Sequence, residues 1–348
     1  MSSSSSIPLF GQAWELTVQY ASGPPYILTT NKWEPEALRM TFEVVQATIP
    51  SPWWYADINV YNLTAQDAQN ILFNATWVTL KAGFQNGDNL YSTIWDGPVL
   101  QTLYDRDMVV DQHVQIRCIA SPLLANNVVA FSMGVRATQL QFVGQMVNQV
   151  NANAPANVTP MSFDMGDIAK QRLNDKQYMR GNTMFGKMDS YLNTVTSDNF
   201  VQWWRDGRKG YISELSNADV TPDLIYSPPF PPDSPYSTPP SGVTQSIIGT
   251  PKQTPFGVIF QVLLDPRLLV QVPLQVVQLQ RTLISQLAQL PNPEGGNAVT
   301  PFSNNLTFFV GQVVHRGDTR GNDWYTEVTG YGTTYGTNLL NGIFAANK

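Results

Sequence analysis

The stretch Val310-Gly311-Gln312-Val313-Val314-His315-Arg316-Gly317-Asp318-Thr319-Arg320-Gly321-Asn322-Asp323-Trp324-Tyr325-Thr326-Glu327-Val328 decides the fold class. Its two apolar, β-branched ends flank a turn-forming run from Arg316 to Asp323, which reads as strand, tight loop, strand. Gly317 and Gly321 are expected to supply positive φ, and Asp318 and Thr319 to bond nearby amides. Trp324 re-enters the sheet and is expected to anchor it.

Working outward, Gly257 to Leu264 and Val270 to Leu279 read as strands before the hairpin, Arg281 to Leu290 is ambiguous, and Phe308 to Val314 and Trp324 to Gly330 complete a second β domain. Upstream, eight prolines fall between Pro222 and Pro240. They remove amide donors and predict an extended connector instead of a sheet. The first 135 residues alternate short β-rich runs (Trp14 to Tyr20, Leu38 to Ile49, Ala56 to Leu63) with Pro/Gly/Asn punctuation, which predicts an antiparallel, barrel-like unit. Trp77 to Phe84 and Tyr91 to Trp95 form a hairpin signal. Met108 to Ala120 reads as a half-buried strand with Val110, Gln112, Val114, Ile116 and Cys118 on one face and Asp111, His113, Gln115 and Arg117 on the other. From Ala137 the period lengthens, and Leu140, Val143, Val147 and Val150 predict a helix to about Asn151 that closes the first domain. The expected organisation is a first β-barrel domain with its closing helix over 1–152, a small helical or mixed insert over 153–220, a proline-rich connector over 221–250 and a second β domain over 251–348.

At 348 residues and 38.7 kDa the chain has room for two to three domains. Only 13% of residues are charged, while 43% are hydrophobic and 11% aromatic, so the surface is polar but weakly charged. The net charge of −6, with no run of Lys or Arg, argues against specific nucleic-acid binding. The single cysteine, Cys118, sits among isoleucines as a buried strand thiol and permits no internal disulfide. Met1 to Leu9 has neither the basic nor the apolar region of a secretory signal, which predicts folding in a cytoplasm. No window is apolar enough for a spanning helix, so membrane insertion by this chain is not expected. There is no repeat of fixed period.

Signatures of chemistry are weak. His113 and His315 are the only histidines, too far apart in sequence with one cysteine to suggest zinc. No nucleophile elbow, phosphate loop or H-E-x-x-H occurs, and no cofactor is expected. The glycines of Gly330 to Gly336 are misplaced for a nucleotide loop. The acid pairs Asp105/Asp107 and Asp164/Asp167 suit solvated turns better than a glycosidase dyad. Trp53-Trp54 and Trp203-Trp204 suit a core or interface better than a sugar platform.

The hairpin, with His315, Gly317, Asp318, Thr319, Gly321, Trp324, Tyr325 and Thr326, resembles the "H-x-G-D-T-x-G-x-x-W-x-T" ending of baseplate hub proteins of contractile-tailed bacteriophages. Leu263, Leu264 and Pro266 are similar to the "LL-x-P" strand that precedes that hairpin, and Val78 to Phe84 with Ile94 to Pro98 resembles the family's early barrel strands through Ala82, Gly83 and Gly97. Trp95 replaces the more usual Phe, and Pro98 departs from the pattern. Residues from about 155 to 250 match nothing in the family. The resemblance implies a mainly β (α+β) chain with two tube-like antiparallel β-barrels, no catalysis, and a homotrimer whose pseudo-sixfold ring joins a sixfold tail tube to a threefold central spike in the virion baseplate. Tail tube proteins, the spike and other baseplate proteins would be its partners, and DNA only a passing cargo. The alternative is a carbohydrate-binding or glycan-hydrolysing β-protein of the same tail tip. A further expectation is that acidic and amide side chains dominate the channel wall.

Overall fold

The computed structural model describes residues 11–29, 38–48, 54–84, 91–106, 111–120, 128–152, 162–199, 201–205, 209–213, 222–228, 242–254, 257–270, 274–279 and 307–332. In chain order these form β1 (Gln12–Tyr20), β2 (Tyr26–Thr29), β3 (Met40–Ala47), β4 (Tyr55–Tyr61), α1 (Ala65–Asn74), β5 (Ala75–Phe84), β6 (Tyr91–Arg106), β7 (Gln112–Ile119), β8 (Val128–Met133) and α2 (Gln139–Ala152). There follow β9 (Ser162–Met165), α3 (Asp167–Asp175), β10 (Asn182–Lys187), α4 (Met188–Asn199), β11 (Gln202–Arg205) and β12 (Lys209–Ser213). The last third holds β13 (Leu224–Ser227), β14 (Val243–Gln245), β15 (Ile247–Thr254), β16 (Gly257–Leu263), β17 (Val276–Leu279), β18 (Thr307–Asp318) and β19 (Trp324–Gly332).

Among the described residues fourteen strands share one sheet, whose main path runs β14-β13-β17-β18-β3-β4-β7-β6-β5-β1-β2, with β19, β16 and β15 continuing from the other side of β18. The alternation along β7 buries Val114, Ile116 and Cys118. Strand β6 changes partners midway: up to Pro98 it pairs with β5, and from Val99 with β7. Pro98 offers no amide, and a Cβ on Gly97 would meet the Trp95 ring at 2.8 Å, so this pair marks the bend where the chain leaves one ladder for the other.

The first and last β regions meet in the antiparallel ladder from Gln312↔Ala47 to Asp318↔Thr41, which joins β18 to β3. One hydrophobic core serves both, from Trp14 and Leu16 through Ile58 and Ile116 to Phe260, Phe309 and Val328. Two tube-like barrels were expected; among the described residues fourteen of the nineteen strands form this continuous sheet, and no closed barrel is found.

A second core is distinct. It gathers Val129 of β8, Phe142, Val143, Met146 and Val150 of α2, Leu173 of α3, Met188, Leu192 and Val195 of α4, and Trp203 and Ile212. Helix α2 was expected to close the first domain; its apolar face instead packs in the core of the insert. Periodicity marks which face of a helix is buried but not what buries it. The connector is also corrected: Leu224–Ser227 is strand β13, parallel to both β14 and β17. The proline-free run between Pro222 and Pro228 keeps its amides and carries Leu, Ile and Tyr, which is enough for a short strand. Pro251 in β15 falls between Ile248 and Lys252, where the register shifts and no ladder bond is lost. Residues 229–241, which hold most of the prolines, lie outside the described residues, as do 281–290. Helix α1, which the sequence reading missed, is capped by Thr64, whose Oγ1 accepts the Asp67 amide at 3.2 Å and donates to Asp67 Oδ2 at 2.7 Å. Among the described residues no helix is long and apolar enough to cross a membrane.

Candidate functional site

The residues singled out in the hairpin lie at the seam where the two β regions join. Asp318 ends β18 and accepts from Arg39 Nε and Nη2 at 3.2 and 2.8 Å, a two-pronged contact spanning 279 residues of sequence. Its Oδ1 also accepts the Arg320 amide at 3.0 Å, and its carbonyl the Gly321 amide at 3.2 Å. Burial raises the Asp318 carboxyl, but these donors outweigh it and hold the group below the ordinary carboxylate range. Thr319 trades hydrogen bonds with Met40: its Oγ1 accepts the Met40 amide at 2.9 Å, and its amide donates to the Met40 carbonyl at 3.0 Å.

The glycines act for a reason other than the expected one. Neither Gly317 nor Gly321 has positive φ. A Cβ on Gly317 would lie 2.3 Å from the Phe42 ring and 2.8 Å from Trp324, and one on Gly321 would lie 2.6 Å from Asp318 Oδ2. Both positions need the space a missing side chain leaves. Trp324 fills the space at Gly317: it is buried, meets Phe42 edge-on with centroids 5.5 Å apart, and its Nε1 donates to the Gly83 carbonyl at 3.1 Å. Gly83 of β5 is thereby brought to the hairpin across the core, and Ala82 is buried beside it. Gly97 is not brought there; it pairs with Val78, farther along the β5–β6 ladder.

Behind the hairpin lies a buried polar cluster. Leu263 faces Tyr325 in the β16–β19 ladder, and the Leu264 amide donates to the Trp324 carbonyl at 3.1 Å. The chain then turns at Asp265 and the buried Pro266. Asp265 receives Tyr226 Oη at 2.8 Å and Arg267 Nη2 at 2.6 Å on Oδ2, with Arg267 Nε at 2.9 Å on Oδ1. The Asp265 amide donates to Thr326 Oγ1 at 3.0 Å, which shares a 2.9 Å hydrogen bond with His315 Nδ1. Burial and the Asp265 carboxylate push the Tyr226 phenol well up. The sequence reading gave no role to Asp265 or Arg267; an acid and a base inside Leu263-Leu264-Asp265-Pro266-Arg267-Leu268-Leu269 were the available signal. Nothing in the sequence pointed to Arg39 or Tyr226.

Burial pushes His315 from its ordinary 6.5 down to about 4, with the Asp265 carboxylate and the Leu268 carbonyl opposing only in part. The folded chain therefore favours neutral imidazole. The contribution of this group is complete above about pH 6.5 and is lost as pH falls toward 4, a span worth about 3 kcal/mol. Urea denaturation from pH 7 to pH 4 is expected to show this slope, and His315→Gln to remove that share of it. An unchanged pH dependence in the variant would contradict the assignment.

On the face opposite the core a cleft of about 470 Å³ is lined by Arg39, Glu43, Asp57, Arg316, Asp318 and Asp323 among others. Its cations are tied to carboxylates: Arg316 to Glu43 at 2.7 Å, Arg39 to Asp318 at 2.8 Å and, beside the cleft, Arg117 to Asp57 at 3.6 Å. No cluster of potential metal ligands occurs among the described residues. Of the tryptophans that the rival glycan reading would use as platforms, Trp54, Trp203 and Trp204 are buried. Trp53 and Asp107 lie outside the described residues, and Asp164 and Asp167 pair with Lys209 and Lys170 instead of facing one another.

By sequence, no protein-family model and no curated protein matches the chain. By structure, it is similar to the tail protein from Neisseria meningitidis MC58, with a TM-score of 0.53 at 8% identity over 94% of this chain and 98% of that one. The prophage MuSo2 43 kDa tail protein from Shewanella oneidensis gives 0.52 at 7% identity over 93% and 99%. A chain of the Francisella PdpA-VgrG complex gives 0.50 at 8% identity over 94% of this chain but only 59% of that one. The chain thus has the fold of phage-type tail proteins over nearly its whole length.

Proposed function

We propose that the chain is a structural hub of a contractile tail baseplate, a homotrimer that adapts the sixfold tail tube to the threefold spike and works by binding alone. The observation that carries this reading is the likeness to a tail protein over almost the full length of both chains. The hairpin motif, located at the seam between the two β regions, supports it independently. In this reading the strands on either side of the β3–β18 ladder belong to two tube-like modules, so that three copies present six. The insert and the proline-rich segment face other baseplate proteins, and DNA crosses the ring during ejection. The low charge content fits a surface that ends largely in subunit contacts. The paired cations beside the cleft fit a wall that does not hold phosphate, and the net charge of −6 has the same sense. The fold of a PdpA-VgrG complex chain fits spike-type proteins as partners.

Light scattering on the purified chain is expected to give three times the 38.7 kDa chain mass, and electron microscopy a ring with threefold symmetry. A strict monomer at every concentration tested, both alone and mixed with tail tube and spike proteins, would overturn the hub reading.

A further inference from the structure

The insert carries a surface unlike the rest of the molecule. Strands β8 and β10 form a two-stranded antiparallel ribbon, in which Ala130 faces Phe185. The outer edge of β8 is covered by a side chain: Gln149 of α2 accepts the Ala130 amide on Oε1 at 3.0 Å and donates from Nε2 to the Ala130 carbonyl at 2.9 Å. In an antiparallel ladder, facing residues either exchange both hydrogen bonds or turn both pairs of groups away from each other. Because the polar groups of Ala130 turn outward to Gln149, those of Phe185 also turn outward, onto the far edge of β10. Thr183, two residues earlier, has the same orientation. Among the described residues no backbone hydrogen bond reaches this edge.

Exposed apolar side chains lie on the ribbon and next to it in sequence. Phe185 is 81% exposed, Met179 85%, Val135 65% and Val128 52%. The charge is also one-sided: residues 128–137 and 178–187 contain Arg136, Arg180 and Lys187 and no Asp or Glu, in a chain whose net charge is −6. The nearest acid in sequence, Asp189, is bound to Arg205 at 3.0 Å.

We propose that the β10 edge is a docking site for an extended segment of another protein, with alternating acidic and apolar residues, that joins the ribbon as a third strand. The open backbone supplies main-chain bonds, Phe185 and Val128 an apolar face, and Arg136, Arg180 and Lys187 the sign of charge. A second copy of this chain is a poor occupant, since pairing β10 with itself would bring these cations together. The proposal rests on the insert alone and stands whether or not the chain is a hub.

The test uses the full chain and a fluorescein-labelled ten-residue peptide of alternating Glu and Val. In the free protein, hydrogen exchange resolved to single amides is expected to be faster at Thr183 and Phe185 than at Met184 and Gly186, and the peptide is expected to slow the first pair. Phe185→Pro removes an outward donor without touching the β8 ladder, and Phe185→Ser removes the ring alone. Either of them, or Arg136→Glu with Arg180→Glu, should weaken peptide binding at least tenfold while thermal stability is kept. The proposal falls if the peptide binds no better than one of alternating Lys and Val, or if the variants bind it unchanged. It also falls if concentration-dependent dimers vanish in Phe185→Pro, which would make a second copy the occupant, or if the chain binds phosphatidylglycerol vesicles but not the peptide.

Discussion

Replacing Trp324 by alanine is expected to cost about 3–5 kcal/mol, within the range for deleting a large buried aromatic side chain. Three losses coincide. The indole leaves a void above Gly317, where no side chain can grow in without meeting Phe42. Phe42 loses its edge-on partner. The Gly83 carbonyl loses its 3.1 Å donor inside the core. Trp324→Phe should recover most of the packing but not the hydrogen bond, and so fall between the two. Urea denaturation at pH 7 gives the three values. Because Trp324 touches both β regions, one cooperative transition should shift as a whole, and assembly should fail with it. A Trp324→Ala protein with wild-type stability and assembly would show that the anchoring role is wrong.

The parts of this fold that were legible in the sequence are those set by near neighbours. The alternation of β7, the turn residues between β18 and β19 and the lengthened period of α2 all depend on contacts a few residues away. Pairing across the chain left no such trace. Nothing in the period-2 pattern of Met40–Ala47 says that it lies beside Gln312–Asp318, because any strand with one buried face would satisfy it. The same blindness hid Arg39, whose partner Asp318 lies 279 residues away, and placed α2 in the wrong core. Gly317 was noticed for its turn chemistry, yet its role comes from Phe42 and Trp324, which crowd its α-carbon from two other parts of the sequence. Eight prolines masked the four-residue strand β13, since composition over a window averages away a short run. The edge of β10 was visible only once Gln149 was seen to occupy the opposite one.

The second large effect is expected at Asp265. Its side chain is 3% exposed and accepts from Tyr226 and Arg267, while Arg267 also donates to Thr244 at 3.2 Å. The carboxylate therefore ties the turn after β16 to β13 and to β14, two of the shortest strands in the sheet. Asp265→Ala leaves a guanidinium and a buried phenol without their acceptor, and breaking one side of such a pair costs about 3–5 kcal/mol. The loss should be local first: proteolysis is expected to open β13 and β14 before the β18–β19 hairpin, which keeps its own ladder. Removing both charges together is a different perturbation. Desolvating two ions is itself costly, so Asp265→Leu with Arg267→Met should be less destabilised than Asp265→Ala alone, although two residues are changed instead of one. Chemical denaturation of the single and double variants measures the coupling. If Asp265→Ala and the double variant lose the same stability, the cluster contributes through packing and not through its buried charge, and the assignment of Asp265 as the tie between these strands is wrong.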